Sequence, residues 1–224
     1  MGIRMNEQAS RWWNVRQGAS SRHAGETRKQ LLLAAFEEIY RVGFQAASLQ
    51  KILLRTGVTK GALYHHFPSK QALGHAVVDE IISVMLREQW IRPLETSTTP
   101  LLTMRQMILD AGSRMTGEDV RLGSPLNNLA QEMAPVDEGF RERIEAVYAE
   151  WRGAVAEALE RGIASGKVRA DIMPSQVATV YVAALEGCLG LAKTAQRLEL
   201  LYECGEGLLL FLTTLENPAE TRRD

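Results

Sequence analysis

SLQKILLRTGVTKGALYHHFPSK, residues 48–70, contains two short helices and one tight corner. Ser48 has the side chain of a helix cap, and Leu49, Ile52 and Leu53 put one apolar face on the helix that follows. Gly57 supplies the left-handed backbone that ends this helix without a Cβ clash. Val58 is the apolar residue of the turn. Thr59 caps a second helix that turns Leu63 inward and stops at Phe67-Pro68. Helix, glycine turn, helix is the plan in which the second helix enters the major groove of DNA.

The second helix is unusual in what it lacks. Leu63 is its one aliphatic anchor, and Lys60, Gly61, Ala62, Tyr64, His65 and His66 fill the rest. A helix that only supports a core would carry more apolar surface. One that lies against phosphates and base edges needs small residues for close approach and polar or basic ones for contact.

The tract VTKGALYHHFPSK, residues 58–70, resembles the signature of the TetR family of transcriptional regulators, in which G-x-L-Y-x-H/Y-F-x-x-K closes the DNA-binding domain. The resemblance is dense from Thr27 to Leu73 and architectural beyond it. It implies an all-α protein of about nine helices, with a three-helix DNA-binding domain at 27–70 and an effector-binding and dimerisation domain at 71–216. Residues 1–26 are expected to form a flexible basic arm, and 217–224 a tail. The resemblance also implies roles. Lys60, Gly61 and Ala62 are expected to face base edges, and Tyr64 and His65 to touch phosphate or base. Ser48 and Thr59 are expected to offer hydroxyl or backbone donors to phosphates at helix N-termini, and Lys70 to contact phosphate.

Charge supports this division. The chain of 224 residues has a net charge of −1. Residues 1–70 hold 11 Lys and Arg against 4 Asp and Glu, whereas the remainder holds 15 against 23. A basic module joined to an acidic body is the electrostatic footprint of a protein that presents one end to nucleic acid. Arg11, Arg16 and Arg22 of the arm suit a minor groove or phosphates as well as they suit a solvated tail, and the Trp12-Trp13 pair has no assigned role.

Around the central stretch the period is helical throughout. Leu32, Ala35, Phe36 and Ile39 form one face of a first helix closed by Gly43. Ser69 caps a fourth helix expected to reach Arg92, stop before Pro93, and act as the lever between DNA module and body. Helices are expected at 101–116, after Ser124-Pro125, after Asp137 to about Ala164, from Pro174 to about Ala195, and from Leu198 to Leu215, with a loop at 117–123.

Ala183, Ala184, Gly187 and Gly190 line up small residues on the penultimate helix, and Leu201, Leu208, Leu209 and Leu212 form an apolar stripe on the last. The resemblance implies that these two helices pair with their copies in a homodimer; the alternative is an ordinary internal core. Two copies reading a pseudo-palindrome of double-stranded DNA extend the few base pairs that one helix reads.

The body is rich in Met and aromatic residues: Trp90, Met104, Met107, Met115, Met133, Phe140, Tyr148, Trp151 and Tyr181. They suit an apolar small-molecule cavity or a plain core, with Asn127, Asn128 and Glu186 as polar fixers. The tract GSPLNNLAQEM, 123–133, resembles one in family members that respond to small electrophiles or organic acids. Several of those carry Cys where Ser124 stands, so this chain lacks the thiol for covalent sensing there, and reversible binding is expected.

Other classes find little support. There is no phosphate-binding glycine loop, no metal spacing and no nucleophile elbow, and the four histidines all lie at or before residue 75. No catalytic residue, metal or cofactor is therefore expected. A small-molecule binding protein with a vestigial DNA module is the alternative function. Cys188 and Cys204 fall in apolar helical patterns expected to bury them reduced. No unbroken apolar run approaches the ~18 residues of a membrane helix, and no signal-peptide pattern is seen, so a cytoplasmic location without membrane is expected.

Overall fold

A computed structural model describes residues 23–218, and the regular elements among them are helical, apart from one isolated bridge between Val168 and Glu216. The arm residues Arg11, Trp12, Trp13, Arg16 and Arg22, and tail residues 219–224, lie outside this range.

Helix α1 (His23–Val42) starts four residues before the expected Thr27 and buries Leu31, Leu32, Ala35, Phe36 and Ile39. Gly43 ends it at φ 82°. Helix α2 (Leu49–Thr56) has Ser48 as its cap and Gly57 at φ 68° as its stop. Helix α3 (Lys60–His66) has Thr59 as its cap and buries Leu63. Ile52, Leu63 and Phe67 close these three helices into one small core with α1.

Helix α4 begins at Lys70 under a Ser69 cap and continues to Glu95, with π-helical turns at Val78–Ile82 and Arg87–Ile91. The expected stop at Arg92 is not observed. Proline lacks the N–H for an i→i−4 bond, and the wider turn just before Pro93 accommodates that missing bond. The rod thus passes from the DNA module into the body as one piece.

Helix α5 (Pro100–Arg114) leads to a segment expected to be a loop that instead forms a short helix, α6 (Gly117–Leu122). A capping box accounts for it: the Thr116 hydroxyl accepts from Asp119 N at 3.3 Å, and the Asp119 carboxylate accepts from Thr116 N at 2.9 Å. Helices α7 (Pro125–Met133) and α8 (Glu138–Ala164) start at the expected Ser124 and Asp137 caps. Helices α9 (Pro174–Ala195) and α10 (Leu198–Thr213) complete the body. Asn217 belongs to the folded body rather than to a tail, since its N–H donates to Lys167 O and its side chain to Gly166 O.

In the body α8 packs on α9, α9 on α10, and α10 back on α5, within a core continuous with that of α1. Helix α9 has the length and apolarity of a membrane-crossing helix, although its apolar residues are interrupted by polar ones. In this fold it packs between α8 and α10, with 39% of its apolar window buried and one face left open.

Candidate DNA-reading helix and effector cavity

Helix α3 turns one side chain inward and most of the rest outward. Leu63 is fully buried, while Lys60, Gly61, Tyr64 and His65 are exposed and Ala62 and His66 are half-buried. The Lys60 ammonium lies 5.9 Å from the Tyr64 ring centre, so the two side chains form one amphipathic edge. A Cβ built on Gly61 would meet nothing within 4 Å, so nothing within the protomer demands a glycine at that point.

The capping hydroxyls have their acceptor side in use. Thr59 Oγ1 accepts from Ala62 N at 3.2 Å and Ser48 Oγ from Lys51 N at 3.4 Å, which leaves each hydroxyl proton to donate to a phosphate. Lys70 is half-buried. Its Nζ donates to Gln45 O at 2.9 Å and stands 5.0 Å from the Phe44 ring centre, so it braces the turn after α1 besides carrying charge at the start of α4. The acids of this module are occupied too. Glu37 pairs with Arg55, and buried Glu38 lies 3.6 Å from Lys51 and accepts from Ser48 N.

Helix α7 ties this module to the body. At its C-terminal end the Glu132 carboxylate accepts from Phe44 N and Gln45 N, both at 2.8 Å. Gly43, at positive φ, turns these two successive amides toward one point, as in a backbone anion nest, and a Cβ at Gly43 would fall 2.8 Å from Glu132 Oε2. Tyr40 donates to Gly123 O at 2.6 Å just ahead of α7, and Phe44 meets Phe140 edge-on at 4.6 Å. Gly74 on α4 allows that approach, since a Cβ would lie within 2.6 Å of both rings. Helix α7 therefore links the module to the body as α4 does, through contacts across 87 and 88 residues of sequence that carry no local signal.

The N-cap of α7, Ser124, lines a cavity of about 440 Å³ between α4, α5, α8, α9 and α10 that opens to solvent beside Leu109 and Tyr202. Of the expected pocket residues, Trp90, Trp151, Glu186 and Met115 are in its wall. Met104, Met133, Phe140 and Tyr181 are not: they belong to the buried core, where long side chains fill the joints between helices. Tyr148 is half-buried against that core. Asn127 and Asn128 line a separate groove beside α1 and do structural work. Asn128 donates to Leu122 O and accepts from Lys193 Nζ, both at 2.7 Å, and Asn127 Oδ1 accepts from Gln131 at 3.3 Å. Burial also lowers the Lys193 pKa.

The walls are mainly aliphatic and aromatic, with Trp90 and Trp151 ring centres 5.6 Å apart. Among the polar groups of the wall, which include Ser113, Ser124, Tyr202 and an exposed Glu206, Glu186 is the buried acid. Its Oε2 has no hydrogen-bond partner, and burial raises its pKa to about 7 against a smaller opposing effect of the Ser124 hydroxyl. Burial likewise raises the Tyr148 pKa, with the Glu186 charge adding to the rise. Cys188 lines the cavity and is half-buried, as is Cys204, rather than fully buried. Burial, and after it the neighbouring Cys204 thiol, push the Cys188 thiol up to about 12, far from the thiolate form that reacts.

Leu201 and Leu208, expected at a dimer interface, line this cavity, and Leu208 and Leu212 are buried within the protomer. A leucine stripe marks an apolar face without saying what covers it. Of the small residues expected at the interface on α9, Ala183 and Gly187 are exposed, beside exposed Val180 and Leu191, and Ala184 and Gly190 are half-buried at the edges of that face. Leu210 and Tyr202 are exposed on α10. No group of three or more metal-ligating side chains occurs among the described residues.

Two family models match this chain. Residues 31–77 match the bacterial regulatory proteins of the tetR family, and residues 100–207 match the C-terminal domain of LmrA/YxaF-like transcriptional regulators. Among curated proteins, the transcriptional regulator AcuR of Cereibacter sphaeroides is 27% identical over 75% of this chain and 77% of its own length. The HTH-type transcriptional regulator LmrA of Bacillus subtilis is 26% identical over 77% of this chain and 89% of its own. The crystal structure of a TetR transcriptional regulator from Chloroflexus aurantiacus superposes with a TM-score of 0.75 at 26% identity, covering 86% of this chain and 97% of that one.

Proposed function

The chain belongs to the TetR family of transcriptional regulators, and we propose that it is a repressor that binds a pseudo-palindromic operator as a homodimer and leaves it when a small molecule fills the body cavity. The observation that supports this best is α3 itself, a helix anchored by Leu63 alone that presents Lys60, Gly61, Tyr64 and His65 to solvent. Lys60 is the direct base reader, Gly61 and Ala62 allow backbone approach and contact with thymine methyls, Tyr64 and His65 touch phosphate or base, and Ser48, Thr59 and Lys70 hold the phosphates. A regulator of this kind acts on DNA in the cytoplasm.

The exposed α9 stripe, continued by Leu210 on α10, is the surface on which a second copy docks, with Ala183 and Gly187 letting the helices approach closely. The two recognition helices then fall about 34–36 Å apart, one turn of the duplex. The effector acts by binding better to a conformation in which that spacing is lost, and it shifts the population by no more than this difference in affinity. Helices α4 and α7 both run from the cavity wall to the DNA module and carry the coupling. Selection of bound duplexes from a random pool tests the reading: recovery of a two-fold symmetric site is expected, and a pool that stays unenriched would refute it.

A further inference from the structure

Two buried polar groups in the wall of the effector cavity lack a hydrogen-bond partner, the Trp151 indole Nε1 and the Glu186 carboxylate Oε2, and the carboxylate is the costlier of the two. On α9, between the cavity-lining Leu185 and Leu189, stands a carboxylate where a hydrophobic side chain would pack at far lower cost. Glu186 is 7% exposed and its Oε2 has no partner among the protein groups. The groups around it do not compensate its charge. Ser124 at the head of α7 offers a hydroxyl, Tyr148 faces it from α8, Cys188 is a protonated thiol, and Tyr202 and Glu206 stand on α10. No Lys, Arg or His is in the cavity wall.

A buried carboxylate without a counter-ion is stabilised by a cation that arrives with its own apolar body. The cavity is shaped for such a body, at about 440 Å³ with mainly hydrocarbon walls. Trp90 and Trp151, both in the wall, add indole rings that attract a cation or stack on an aromatic ring. We infer that the effector is a largely apolar amine whose protonated nitrogen docks on the Glu186 carboxylate, and that the same carboxylate excludes organic acids from the cavity. A neutral hydroxyl donor satisfies Oε2 but leaves the charge uncompensated, so it binds more weakly. This inference rests on the cavity being the effector site of a DNA-binding regulator.

Three fluorescent probes of one shape test it: anthracenemethylamine, anthracenemethanol and anthracenecarboxylate. Each is titrated at pH 8 into the wild-type protein and into Glu186→Gln, and each complex is then tested for release of the operator recovered by selection. The wild type is expected to bind the amine about tenfold or more tightly than the alcohol, the advantage an opposite charge confers on a buried ionised group, and to exclude the carboxylate. Glu186→Gln is expected to bind amine and alcohol alike and to admit the carboxylate. Equal wild-type affinities for amine and alcohol, or an amine preference that survives in Glu186→Gln, overturn the inference, as does failure of all three probes to bind. The two levels separate cleanly. Operator release by the alcohol without an amine preference leaves the regulator reading standing, whereas absence of any operator binding by the free protein sinks that reading whatever the probes do.

Discussion

Replacing Glu132 with glutamine tests whether α7 holds the DNA module in register. The carboxylate accepts from Phe44 N and Gln45 N at 2.8 Å each, across the Gly43 turn. Glutamine retains one acceptor oxygen and turns an NH2 toward the other amide, donor against donor. One charge-assisted bond is lost and the second becomes neutral. Such bonds contribute about 1.5–3 kcal/mol each against about 1 for a neutral pair. Gln45 is exposed, so water relieves part of the loss, and the expected cost is about 2 kcal/mol. For a chain of this size that lowers the melting temperature by roughly 4–8 °C in differential scanning fluorimetry. The same substitution is expected to weaken coupling, measured as the ratio of operator Kd with and without anthracenemethylamine, toward one. By linkage, the ratio of amine affinities with and without operator falls by the same factor. A melting temperature within ~2 °C of wild type, the range of an ordinary surface substitution, together with an unchanged coupling ratio, would refute the assignment of α7 as a connector.

The remaining predictions concern the two faces and the buried acid. Lys60→Ala is expected to relax sequence preference, whereas Lys70→Ala weakens binding to operator and random duplex alike and lowers the salt slope by about one; identical behaviour of the two in anisotropy titrations would remove the distinction. The Glu186 pKa of about 7 lies above its ordinary 4.5, so its contribution to stability is complete below the lower value and is lost as pH rises through the upper one. At about 1.4 kcal/mol per pH unit the ceiling is ~3 kcal/mol. Urea melts at pH 5 and pH 8 should show wild type losing up to that amount more than Glu186→Gln, and parallel losses would count against a carboxylate raised by burial. Leu191→Asp on the exposed α9 stripe is expected to leave the protomer folded but monomeric in sedimentation, with operator affinity down at least tenfold; a dimer that persists would move the interface elsewhere.

What was legible in the sequence was local. Ser48, Thr59, Ser69, Ser124 and Asp137 all cap helices where their residue types predict, because each cap is a contact between neighbours three residues apart. Gly43 and Gly57 mark left-handed corners for the same reason. The features without a local signal involve partners distant in sequence or turns too short to show a period. Helix α6 spans under two turns between two glycines, and the Thr116–Asp119 box holds it. The π-turns of α4 leave no trace in the apolar pattern, so the helix continues to Glu95 where Pro93 reads as a stop.

The effector site was legible only in part. Met104, Phe140 and Tyr181 have the composition of a pocket and the burial of a core, a difference that only the packing decides. Leu201 and Leu208, expected at an interface from their apolar stripe, line the cavity. Glu186 had a usable signal, an acid set among the apolar and small residues of a long helix. The Glu132 link to Phe44 and Gln45 had none, because a carboxylate on two backbone amides far away in sequence leaves no mark in either segment.

Hydroxyl-radical footprinting of the protein on its selected operator tests the claim that α3 reads DNA in a symmetric pair most directly. Two protected clusters one duplex turn apart, about 34–36 Å, both abolished by Leu191→Asp, are the predicted result. A single protected patch that survives in the monomeric variant, or no protection at any protein concentration, would contradict the account.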